Sequence, residues 1–145
     1  MRSTILLALT LAVAGCASAK PVNVVAGEAC WRCRQPISDK RLAAELLSSN
    51  GLASKFRTVH CMATWVAQQK TQPEGRDYVT DYGSGKWVHA NDATYVYTTV
   101  NTNTMAKDFV AFRDRDEAEE KARADNGTIA TWDDVLARGR STPLP

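Results

Sequence analysis

Soft, metal-seeking side chains are few in this chain and closely spaced: Cys30-Trp31-Arg32-Cys33, then His60-Cys61-Met62, then Met105 in a polar stretch. A C-x-x-C spacing brings two sulfurs near enough for one metal ion or one disulfide. A thioredoxin-type redox motif would open a helix after a strand, whereas Pro36 follows soon after Cys33. A structural disulfide within the motif is the plain alternative, although so short a loop constrains little of the unfolded chain. Cys61 follows a strand-like run and opens an expected helix, where aligned amides favour a thiolate. Zinc would need four ligands, and Cys30, Cys33, Cys61 and His60 supply that number, but adjacent His60 and Cys61 point in different directions from a helix start. Met62 belongs on a buried helix face as core. Met105 lies in Asn101-Thr102-Asn103-Thr104-Met105-Ala106-Lys107, which has no amphipathic period, so its thioether gains little from burial. Thiolates together with a thioether suit soft, monovalent copper, Cu(I). His60 stands either as part of the helix cap region or as a ligand, and His89 as a surface strand residue.

The elements that must position these residues can be read from pattern. Residues Arg41 to Leu47 suit a strand or a helix, Asn50-Gly51 is a turn signal, and Phe56-Arg57-Thr58-Val59 alternates like a half-buried strand. His60 to Gln69 has helical spacing at Met62, Trp65 and Val66, ended by the breakers Pro73 and Gly75. Asp77 to Tyr82 and Trp87 to Thr99 are rich in Tyr, Val, Trp and Thr, as consecutive strands are. Phe109 to Phe112 reads as a strand and Asp114 to Asp125 as a helix with acids first and bases last, ended by Asn126-Gly127. Thr128 to Ala130 follows as a strand, and Thr131 to Leu136 as a helical turn with Thr131 and Asp134 in capping-box positions. Strand, helix, strand thus occurs at 56–82 and again at 109–130.

The chain opens with Arg2 and the apolar run Ile5 to Ala14, too short to span a membrane but the right length for an export signal. Leu11-Ala12-Val13-Ala14-Gly15-Cys16 resembles the lipobox of bacterial lipoproteins. That resemblance implies a signal peptide at 1–15, a diacylated Cys16 and stable anchoring by two acyl chains. Ordinary secretion, with cleavage after Ala17-Ser18-Ala19, is the alternative. Ser18, not Asp, stands two positions after Cys16, which implies a periplasmic-side, outer-membrane location. Residues 16–28 read as a tether. About 130 residues then remain, one domain's worth, with three cysteines, so that at most one disulfide can form. With 18 basic against 16 acidic residues interleaved along the length, nothing suggests nucleic acid as a partner. No Ser/His/acid set or carboxylate pair stands in a recognisable catalytic frame.

The cysteine motif followed by Ile37-Ser38-Asp39-Lys40-Arg41-Leu42-Ala43-Ala44-Glu45, Phe56, Cys61-Met62, Tyr78-Val79-Thr80-Asp81-Tyr82 and Lys86-Trp87-Val88-His89-Ala90 resembles the NosL family of nitrous oxide reductase accessory lipoproteins. Ala93-Thr94-Tyr95-Val96, Met105-Ala106, Ala111-Phe112 and Trp132-Asp133-Asp134-Val135 extend the likeness. It implies an α+β, NosL/MerB-like domain over 29–140, made of two related ββαβ units at about 30–83 and 84–137. It also implies a lipid-anchored periplasmic chaperone holding Cu(I) and passing it toward nitrous oxide reductase, a related copper protein, or an ABC-type maturation complex. Cys33 matches the family's motif cysteine and Met105 its later methionine, so both would contact copper between the two halves. Gln35 stands where the family has a first methionine and Ala106 where it has a glycine, leaving Cys30 or Cys61 to complete the site. The rival is a thiol enzyme, either an oxidoreductase or an organomercurial-lyase-like protein, using Cys30, Cys33 and Cys61 with an acid such as Asp39.

Overall fold

The computed structural model describes residues 20–71 and 73–142. The expected signal peptide, Cys16 and the start of the tether lie outside the described residues. The first half runs β1 (Ala44–Ser48), β2 (Ala53–Phe56), α1 (Val59–Ala67), β3 (Gly75–Thr80) and β4 (Trp87–His89). Its antiparallel sheet has the order β2-β1-β3-β4. The second half runs β5 (Thr94–Asn101), β6 (Ala106–Phe112), α2 (Arg115–Asp125), β7 (Thr128–Ala130) and α3 (Trp132–Arg140), with an antiparallel sheet ordered β6-β5-β7. In each half a hairpin is followed by a helix that returns the chain to the free edge of the hairpin's first strand. Both halves are therefore ββαβ units, and the strand, helix, strand repeat expected from the sequence is present as β2-α1-β3 and β6-α2-β7.

Two expectations need correction. Trp87 to Thr99 is not one strand: β4 pairs with β3, a 3-10 turn at Ala90–Asp92 intervenes, and β5 starts the other sheet. Ala90 is buried at that turn and its carbonyl accepts a hydrogen bond from Tyr95 Oη at 2.7 Å. The first sheet therefore extends past residue 83, to His89. Likewise Thr58 and Val59 do not continue β2. Thr58 is extended and caps α1, its Oγ1 accepting from the Cys61 amide at 3.2 Å, because a hydroxyl at this position satisfies a helix-end donor.

The main core lies between the sheets around α1. Ala44, Leu46, Phe56 and Val79 from the first sheet meet Tyr95, Phe109 and Ala111 from the second, with Val59, Met62, Ala63 and Val66 of α1 among them. α3 closes this core by stacking Trp132 on Tyr95 at 5.8 Å, and Gly139 is required where α3 crosses α1, because a Cβ there would lie 2.7 Å from the Ala63 carbonyl. The outer face of the second sheet carries Val96, Val110 and Phe112 against Ala118 of α2. The outer face of the first sheet is covered by the chain's own N-terminal segment. Val24 packs with Ile37 and Ala43, the Val22 amide donates to both oxygens of buried Glu45, and the Lys55 ammonium donates to Asn23 O and Glu28. Residues 21–28, expected as plain tether, are thus fastened to the domain, since β1 is buried on both faces and needs a cover there.

Candidate metal centre

The C-x-x-C segment is a hairpin-like turn. Cys30 N donates to Gln35 O at 2.8 Å, Ile37 N to Glu28 O at 2.8 Å, and Arg34 N to Cys30 O at 3.0 Å, with Arg34 in the left-handed region at φ 60°. Trp31 N donates to Lys55 O at 2.7 Å, which pins the turn to the end of β2. β2 leads within two residues into Thr58 and α1, so the turn and the first turn of the helix are neighbours by construction. The consequence is that the sulfurs of Cys30, Cys33 and Cys61 all lie within 4.8 Å of one another. Cys30 is buried, Cys33 and Cys61 are half-buried, and all three are free thiols with Cys33 Sγ 3.9 Å from Cys61 Sγ.

The cluster is electrically uneven. The Cys61 thiol directed at Cys30, together with the amides of Cys33 and Arg57, holds the Cys30 thiol far below its ordinary range against the opposing effect of burial. That same Cys30 sulfur, with burial added, pushes the Cys61 thiol up. The turn's amides and neighbouring thiols thus favour a thiolate at Cys30, while the start of α1 leaves Cys61 a thiol whose sulfur lies 3.9 Å from Cys33 Sγ. Three sulfurs so close together could hold one soft metal ion, and metal entry would displace the thiol protons.

The other expected residues are placed differently. The His60 ring points to Thr142 Oγ1 at 3.0 Å and Thr64 Oγ1 at 3.4 Å, outside the three-sulfur group, and burial lowers its pKa. Met105 stands at the β5–β6 turn with φ 54°, is 67% exposed, and is not among the residues packed around the cysteines. Met62 is fully buried core and His89 is an exposed β4 residue, as the sequence suggests. Asp39 caps the short helical turn before β1 and is held by the Arg41 guanidinium at 2.8 Å, so the acid wanted by a thiol enzyme is engaged elsewhere.

Sequence reasoning missed the support of the site. Asp108 on β6 accepts from the His60 amide at 3.3 Å and from the Phe109 amide at 2.7 Å, while Thr58 accepts from the Cys61 amide. Burial, the largest influence, pushes the Asp108 carboxyl up. Thr58 could have been found as a Ser/Thr cap three residues before Cys61. Asp108 carries no local signal, because its partner is 48 positions away.

Compared with known proteins, residues 21–138 match the model of the NosL family. The chain belongs to the NosL family. The match begins where the N-terminal segment starts to pack on the first sheet. The fold is also that of the crystal structure of the copper chaperone NosL from Shewanella denitrificans, with a TM-score of 0.66 over 79% of this chain and 94% of that one, at 15% identity. No curated protein matches the chain. At that identity the likeness speaks for the NosL fold, and the chemistry must come from the residues on the page.

Proposed function

We propose that this NosL-family protein is a carrier of Cu(I), held by Cys30, Cys33 and Cys61 and passed on by ligand exchange, rather than an enzyme. The observation that carries this reading is the convergence of three free thiols, one buried and two half-buried, from the Cys30–Cys33 turn and the start of α1. Thiolates favour soft metals, zinc wants a fourth ligand that this cluster lacks among the described residues, and a three-donor site that suits Cu(I) leaves an approach for an incoming ligand where a closed four-ligand cage would not. The solved family member is a copper chaperone, which supports the same cargo here. Cys30 would take the place of the sulfur that Gln35 does not supply, and Met105, from the exposed turn of the second unit, would serve as a weaker donor during entry or release. The lipobox supports a diacylated Cys16, anchoring the domain on the periplasmic side of the outer membrane. The recipient would be nitrous oxide reductase, its maturation complex or a related copper protein.

Titration of the purified protein with Cu(I) against a competing chelator tests this. About one equivalent should be retained, with nearly all retention lost in Cys30→Ser. A protein that retains none, or retains it equally without Cys30, would refute the reading.

A further inference from the structure

An arginine collar lies on the segments that carry the three-sulfur cluster: Arg32 and Arg34 flank Cys33 in the turn, and Arg57 stands exposed in the link from β2 to α1. Arg138 of α3 is exposed as well, with its guanidinium 4.0 Å from the Tyr97 ring centre and donating to Tyr97 Oη at 2.7 Å. Among the described residues, Arg32, Arg34, Arg57 and Arg138 make no ion pair with a carboxylate. Trp31, inside the metal-binding turn, is 47% exposed, with the Arg34 guanidinium 5.4 Å from its ring centre. The chain as a whole is nearly neutral at +2. Asp114, Asp116, Glu117, Glu119 and Glu120 lie on or next to α2, on the outer face of the second sheet, interspersed with Arg115, Lys121 and Arg123.

We propose that this collar is a docking surface for the acidic face of a metal-receiving protein, with Trp31 as its apolar anchor. The proposal rests on the carrier reading for its purpose, though not for its binding chemistry. An exposed indole beside arginines that pair with no carboxylate among the described residues is the composition of an interface centre, where tryptophan and arginine supply most of the binding energy. Placed around the thiols, complementary charge would bring a partner's donor atoms to the open side of the site and speed the encounter. Opposed acidic faces at α2 would disfavour the wrong orientation. An anionic lipid surface is the other partner such charge could meet. One tryptophan in a tight turn, with no amphipathic helix beside it, favours the protein, and so does the need of the thiols for an incoming donor.

The test uses the metal-free protein and two synthetic peptides with a Ser-x-x-Ser centre, one flanked by glutamates and one by lysines. The glutamate peptide should bind at least about tenfold more tightly at low salt, and the preference should shrink once the Debye length falls to a few ångströms, at roughly 0.5 M salt. Arg32→Gln, Arg34→Gln and Arg57→Gln together should abolish the preference, and Trp31→Ala should weaken binding severalfold, both with unchanged thermal unfolding. Equal binding of the two peptides, a preference that survives the triple substitution, or tighter binding to anionic phospholipid vesicles than to the glutamate peptide would overturn the proposal. Copper retention is measured on the same samples: its failure alongside intact peptide docking would count against the carrier reading and leave the docking surface standing.

Discussion

The two ββαβ units share strand order but treat their helices in opposite ways. α1 buries Val59, Met62, Ala63, Thr64 and Val66 between both sheets and α3, while α2 buries only Ala118 and presents its charges to solvent. The thiol cluster is built on the buried helix. A helix enclosed on several sides holds Cys61 in register with the turn that carries Cys30 and Cys33, whereas a helix covering one sheet face would let that register drift. Duplicated topology thus yields one unit that carries the site and one that supports it, with Asp108 reaching from the second unit to the first turn of α1.

The largest expected contrast is in packing. Met62→Ala, at a fully buried position of α1, should lower unfolding free energy by about 3 kcal/mol, while removing the exposed Arg115–Glu119 pair of α2 should cost less than about 0.5 kcal/mol. Denaturant unfolding of both variants breaks the comparison if the costs are equal. Next, Gly139→Ala should cost about 2 kcal/mol, since the new methyl would meet the Ala63 backbone, and its effect should spread to the copper affinity because α1 must shift.

A smaller effect is expected at the seam between the units. Burial raises the Asp77 carboxyl to about 6. The folded protein therefore keeps this proton over a range of pH in which the unfolded chain has lost it. Stability should fall as pH rises from about 4 to about 6, by on the order of 1 to 2 kcal/mol, and Asp77→Asn should flatten that part of the profile. The smallest contrast is in the caps. Thr58→Ala, at the cap of the buried α1, should cost about 1.5 kcal/mol, and Asp114→Ala, capping the exposed α2, about 0.5 kcal/mol. Thermal unfolding at fixed pH ranks them.

Periodicity made most of the fold legible. The capping box at Thr131 and Asp134, the Asn126 stop in the left-handed region and the Asn50-Gly51 turn are local chemistry, and each stands as the sequence indicates. What pattern could not show was partnership. Trp87 to Thr99 is β-rich throughout, yet only tertiary pairing decides that its two ends serve different sheets. Thr58 and Val59 are β-branched and read as strand, but a side-chain hydrogen bond outweighed that propensity. Pro21 to Glu28 lacks any period, because one burial at Val24 and polar contacts through Lys55 and Glu45 fasten it. At the site, the three cysteines were legible as candidates. Their convergence, and the amides that favour a thiolate at Cys30, depend on a turn geometry that spacing alone does not contain.

X-ray absorption on the Cu(I)-loaded protein, compared with its Cys33→Ser and Met105→Leu variants, tests the three-sulfur carrier most directly. The account predicts a first shell of three sulfurs, reduced in Cys33→Ser and unchanged in the resting state of Met105→Leu. A shell dominated by nitrogen or oxygen, or one indifferent to the loss of Cys33, would contradict it.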